Sequence, residues 1–533
     1  MEGLHETSPR SAIGEGEMKK SVLGGVVLVV CLAVGSCSSG GSGITHPAAK
    51  QSTTTGPSAS TASTASTAST SAPTYPPSNV VVSGPITGGR YGVPYNPTPP
   101  AILQAADYQE SEYFIGGSAD SFASAKPLAV DGKWTTAKGP KASYKTRIIV
   151  RRPKDPARFN GKVLVEWLNV SAGRDSDPDW GFLNPYLTRA GWAYVGVSAQ
   201  QVGVQGGTSR LVVPGVPAIA LAPLKQWDPV RYASLHQPGD AWSYGIYSDV
   251  ARLLRSPGNV DPLGGLHPKT LVAIGESQSA FRMTTYVDAV QPIDKLYDGF
   301  LIHSRGGSAA ALNDGVNGQT PPGLAIRTDL TQPVLQFETE TDLIRLGFSK
   351  SRQPDSATVR TWEVAGTAHA DQSTLDYGSA SGKVWLKGDN SNAAATCGTI
   401  NNGPQEQVLR AALDRLAVWI KDGTAPATSP RLKIVADSVV TGKGGIAVGG
   451  IRTPPEDAPI SALSGKNTAS SIFCSLFGQR RDYTSRELAA LYPNHAAYVA
   501  AVTTASNAAE TAGFLLNPEG DAFIADAKSA AIP

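Results

Sequence analysis

The chain has 533 residues, 41% hydrophobic and only 17% charged, and its 46 basic and 44 acidic side chains leave a net charge of +2. That length suits one elaborated enzyme domain with tails, and that balance suits a well-filled core under a weakly charged surface. The local basic runs are pairs such as Arg151-Arg152 and Arg480-Arg481, so a nucleic-acid partner, which needs clustered phosphate-neutralising charge, is not expected.

At the N-terminus, Glu2, Glu6, Glu15 and Glu17 are wrong for a signal peptide, whereas Met18-Lys19-Lys20 is a suitable basic start. Val22 to Val34 is then an apolar run, too short to cross a bilayer as a helix of ~20 residues. It ends in Val34-Gly35-Ser36-Cys37, which resembles a bacterial lipobox. The resemblance implies a signal peptide over residues 1–36, lipidation of Cys37 and anchoring on the extracytoplasmic side of a membrane. Acyl chains contribute roughly 0.8 kcal/mol per buried CH₂, so two or more hold stably. Residues 37–79, with Thr-Ala-Ser triplets near Thr61–Ser71, read as a tether that cannot bury a core. The folded domain is expected over residues 80–533. In an oxidising compartment Cys397 and Cys474 are expected to pair, the alternative being two buried thiols.

Along the folded region, strands are predicted at Tyr108–Ile115, Lys145–Val150, Val163–Leu168 and Trp192–Val197, with a helical stretch at Leu183–Ala190. Residues 199–240 are irregular and rich in Gly and Pro. A helix at Ser243–Leu254 and a strand at Leu271–Ile274 follow, then a helix from Gln278 to Val290. Gly299–Ile302, Val334–Phe337 and Val359–Val364 are strand-like, and Gln405–Lys421 has helical spacing. Alternating strands and helices predict an α/β fold, a mostly parallel central sheet with helices on both faces and irregular insertions. Sites in such sheets form beyond the carboxyl ends of the strands.

The central chemical signal is Leu271-Val272-Ala273-Ile274-Gly275-Glu276-Ser277-Gln278-Ser279. A strand runs into Gly-x-Ser-x-small and then a helix, which resembles the nucleophile elbow of α/β-hydrolases. Ser279 stands where that pattern usually has Gly. The resemblance implies Ser277 as nucleophile, with an acid and then a His following in the chain. Two acids in the loop after Val334–Phe337 compete: Asp342 is preferred and Glu340 is the alternative. His369 follows the strand Val359–Val364 and lies 27 positions after Asp342 (369 − 342), so it is the expected base. His303 ends a strand but precedes the acid. The resemblance also implies an oxyanion hole from the Gln278 N–H and a residue of the loop Asn169–Gly173, with Asn169 preferred.

Glu166-Trp167-Leu168-Asn169, Arg231-Tyr232, Pro238-Gly239-Asp240, Gly275–Ser279, Glu340–Asp342 and Leu491-Tyr492-Pro493, in that order, resemble the alpha/beta hydrolase domain family of secreted bacterial serine hydrolases over roughly residues 80–533. That implies a carboxylesterase-like serine hydrolase acting on a small-molecule or lipid ester. The same triad would serve an amidase or thioesterase, and the scaffold would also serve a catalytically silent binding lipoprotein. No zinc, nucleotide or redox motif is present, so no metal or cofactor is expected.

Overall fold

A computed structural model describes residues 78–209, 211–386, 395, 397–469 and 471–532. The signal peptide expected over residues 1–36, Cys37 and the expected tether as far as residue 77 lie outside the described residues.

Nine strands form one sheet in the order β1-β2-β3-β5-β4-β6-β7-β8-β9. They are β1 Val81–Ser83, β2 Tyr108–Ser124, β3 Thr136–Pro153, β4 Lys162–Trp167, β5 Ala193–Val197, β6 Thr270–Glu276, β7 Gly299–His303, β8 Val334–Thr339 and β9 Val359–Val364. From β5 to β9 every neighbouring pair is parallel. β1, β2 and β3 add an antiparallel edge. The sheet is therefore mostly parallel, as the alternation of elements predicts.

Side-chain alternation along each strand explains how both faces are filled. Val163, Val165, Leu271 and Ala273 face one hydrophobic cluster, which also holds Ile246, Val250 and Met283. Leu164, Val272, Ile274 and Leu301 face the other, with Leu183, Leu187, Leu409 and Leu413. The helices behind those residues are α1 Pro178–Ala190, α2 Ser243–Arg255, α3 Gln278–Thr285 and α6 Gln405–Asp422; the latter is preceded in the chain by α4 Glu340–Ile344 and α5 Gln372–Leu386. Thus α2 and α3 cover one face, and α1 and α6 the other.

Two features go beyond the sequence reading. The strands expected at Tyr108–Ile115 and Lys145–Val150 are the ends of a long hairpin, paired from Tyr108↔Pro153 to Ser124↔Thr136 with one irregularity between Asp120 and Phe122. Its outer half is polar and glycine-containing in sequence, and only scattered side chains, Ala119, Phe122 and Tyr144, reach the core, so no regular alternation marks it. Beyond residue 430 the chain forms two small two-stranded sheets and further helices, and its segment around Gly465–Phe477 returns to the carboxyl ends of β8 and β9.

Candidate functional site

The end of β6 turns directly into α3 at Ser277, whose backbone has φ 56° and ψ −117°. A non-glycine residue held there costs of order 1–3 kcal/mol, which the surrounding fold must offset. The turn is tight enough that a Cβ on Gly275 would lie 2.9 Å from the Ser279 carbonyl oxygen. Ser279 itself fits, fully buried, so its departure from the usual glycine is accommodated. The Ser277 N–H donates to the His303 carbonyl at 3.0 Å, pinning the turn to the neighbouring strand β7.

His369 stands in the loop after β9 and is 4% exposed. Its Nε2 lies 2.7 Å from Ser277 Oγ and its Nδ1 lies 2.6 Å from Asp342 Oδ1. Asp342 is the third residue of α4 and closes a capping box. Its Oδ2 accepts from the Thr339 N–H and the Thr339 hydroxyl, both at 2.7 Å. One carboxylate therefore caps its own helix with one oxygen and meets His369 with the other. Burial alone would lower the His369 pKa, but the charge and hydrogen bond of Asp342, with Glu276 adding, hold it above its usual value. With the Nδ1–H donating to Asp342, Nε2 is left to accept the Ser277 proton.

Glu340 is placed differently. Its two oxygens accept from the Gly366 N–H at 2.7 Å and the Gly465 N–H at 2.8 Å, joining the His369 loop to the C-terminal segment. Burial pushes its pKa up to about 7.

Asn169 departs from expectation. Its backbone N–H donates to the Ser176 carbonyl at 2.9 Å in an isolated β-bridge, so that N–H is not free for an oxyanion. Its side-chain amide donates to Glu276 O at 3.1 Å and Glu276 Oε2 at 3.0 Å. The next N–H, of Val170, makes only a 3.4 Å contact with Gln278 Oε1. Gln278 opens α3, where an N–H has no partner within the helix.

Sequence reasoning passed over Glu276. Its Oε1 lies 3.3 Å from His369 Nε2, and burial, opposed by His369 and His303, raises its pKa to about 7. The signal available was its position between Gly275 and Ser277, at the very end of β6. His303, set aside on chain order, is fully buried behind the site. It bonds Asp179 at 2.8 Å through Nδ1 and meets the Gln405 amide at 3.1 Å through Nε2.

The family described as "Alpha/beta hydrolase domain" matches residues 82–525, which is most of the chain. The chain belongs to that family. Among solved structures, this alpha/beta hydrolase is similar to XC6422 from Xanthomonas campestris, a serine hydrolase without lid, at 12% identity over 51% of this chain and 94% of that one, with a TM-score of 0.25. It is also similar to esterase Est22 at 13% identity, over 55% and 80% of the two chains, with a TM-score of 0.28. No curated protein matches it.

In this alpha/beta hydrolase, Ser277, His369 and Glu276 open onto a cavity of about 400 Å³. Its wall is largely apolar, with Leu211, Val213, Leu375, Phe473, Leu476 and Phe477. These residues share one hydrophobic cluster with Cys397 and Cys474, which are joined by a disulfide. The crosslink thus braces the wall of the cavity. Among the described residues no cluster of His, Cys, Asp or Glu side chains is placed to hold a metal ion, and no helix is long and apolar enough to cross a membrane.

Proposed function

We propose that this hydrolase cleaves carboxylic esters through an acyl-enzyme, with Ser277 as nucleophile, His369 as general base and Asp342 as its acid partner. The observation that carries this reading is the continuous relay from Ser277 Oγ to His369 to Asp342 at the floor of an apolar cavity. His369 takes the Ser277 proton as Oγ attacks the ester carbonyl. Asp342 fixes the tautomer and stabilises the imidazolium. The oxyanion receives hydrogen bonds from the N–H groups of Gln278 and Val170. His369 then returns the proton to the leaving alkoxide. Water, activated by the same imidazole, releases the acid from Ser277. The N-terminal pattern supports attachment to the outer face of a membrane through Cys37, which would set this chemistry outside the cytoplasm.

The test is labelling by a fluorophosphonate probe together with turnover of activated esters. Wild-type protein is expected to be labelled and to release the acid, and Ser277→Ala to do neither. Equal labelling of the two proteins overturns the assignment.

A further inference from the structure

Two arginines on the cavity wall, Arg174 and Arg345, have no ion-pair partner among the described residues. The Arg174 Nη1 donates to Asn96 Oδ1 at 3.1 Å and to the Asp175 carbonyl at 3.4 Å, and its guanidinium lies 6.0 Å from the centre of the Tyr95 ring. Its Nε is buried and donates to nothing. The group is held in place without being neutralised, since no carboxylate among the described residues is in ion-pair contact with it. Arg345 caps the end of α4 and, among the described residues, bonds only the Ser475 hydroxyl, at 3.3 Å.

Neighbouring arginines are treated otherwise. Arg147 pairs with Glu112 and Asp175, Arg151 with Glu110 and Asp177, and Arg231 with Glu112. The acids on the cavity wall are Asp177 and Glu276. Asp177 is taken by Arg151 at 2.6 Å, and burial pushes its carboxyl above the usual range. Glu276 is taken by Asn169 and His369. Neither is spent on Arg174 or Arg345.

We propose that the substrate is an apolar ester that also carries an anionic oxyacid group, a carboxylate or a phosphate, and that Arg174 receives this group while Arg345 attracts it at the cavity mouth. This rests on the ester-hydrolase reading above and narrows its substrate class. The apolar wall takes the hydrocarbon part. The free edge of the Arg174 guanidinium takes the anion, a charge-assisted contact that an uncharged ester cannot make.

The experiment compares three nitrophenyl esters of one chain length, ending in a carboxylate, in a phosphate or in a methyl-capped carboxylate. Wild-type kcat/KM is expected to be roughly tenfold or more higher for at least one anionic ester than for the capped one, mainly through KM. The arm that responds distinguishes the two oxyacids. Arg174→Gln and Arg345→Gln are expected to shrink that ratio, Arg174 the more, and Arg174→Lys to keep part of it. Thermal melts check folding, and Arg174→Lys with Arg345→Gln carries the test if Arg174→Gln does not fold. A wild-type enzyme that labels at Ser277 but turns over the capped ester as well as both anionic ones overturns the anion proposal alone. So does a preference that survives both glutamine variants. Absence of both labelling and turnover overturns the hydrolase reading, and this inference with it.

Discussion

Replacing Glu276 by Gln removes a carboxylate that shares His369 Nε2 with the Ser277 hydroxyl. The attraction between Glu276 Oε1 and a protonated Nε2 at 3.3 Å is about 1.3 kcal/mol in a water-like medium and about 5 kcal/mol at an effective dielectric constant of about 20. Both side chains are buried beside the cavity, so the lower figure, equivalent to about one pH unit, is a floor. Glu276 itself titrates near 7, so its charge is partial on the acid side, which trims the shift. The sign is fixed by what each charge favours. Ionised Glu276 favours the imidazolium, and His369 must be neutral to take the Ser277 proton. In Glu276→Gln the acid limb of the kcat/KM profile therefore moves to lower pH, by about one unit or more. Stability gives a second readout. Raised from 4.5 to about 7, Glu276 binds a proton in the folded chain over a window where the unfolded chain has lost it. Its contribution is thus present below pH 4.5 and lost as pH rises through 7. Removing it is expected to raise stability on the alkaline side by up to about 3 kcal/mol, an upper figure. Profiles of kcat/KM and melting temperature against pH, on one activated ester, measure both. An acid limb that stays in place or moves to higher pH refutes the reasoning.

Asp342→Asn is expected to lower kcat by ~10⁴, because the amide favours the wrong imidazole tautomer. Glu340→Gln should lose far less activity but, with one of the Gly366 and Gly465 N–H groups left facing an amide NH₂, should lose about 1–3 kcal/mol of stability in denaturant melts. Opening the Cys397–Cys474 crosslink, which spans 77 positions, with a double serine variant should cost about 4.5 kcal/mol on the chain-entropy account. Denaturant melts of the oxidised protein and the double variant read that difference. Cys37→Ala is expected to abolish partitioning of protein made in a bacterial host into the detergent phase; unchanged partitioning would point to an uncleaved helix.

The parallel strands were legible because each is a short apolar run whose alternate residues fill opposite faces, as Leu271 and Val272 do. The Ser277 turn was legible because its geometry admits few residues at 275 and 279. The choice between Asp342 and Glu340 was open, since two acids two positions apart in a loop carry no periodicity. A helical turn begins at Glu340 and redirects them, Asp342 to His369 and Glu340 to backbone N–H groups. The apolar wall at Phe473, Leu476 and Phe477 was illegible for a related reason. It is a non-repetitive segment brought to the site by tertiary packing and a crosslink, and its own sequence has neither strand nor helix period.

Gly465 accepts from the Thr341 hydroxyl at 2.6 Å and donates to Glu340 at 2.8 Å, while the next residue, Asp342, holds His369. A Cβ at position 465 would sit 2.4 Å from the Glu340 Cβ and 2.6 Å from the Thr341 nitrogen, against backbone that cannot move aside without carrying Asp342 with it. A blind search for inactive variants would therefore recover position 465 alongside the chemical residues, although it lies 188 positions after Ser277 (465 − 277) and offers no side chain to a substrate.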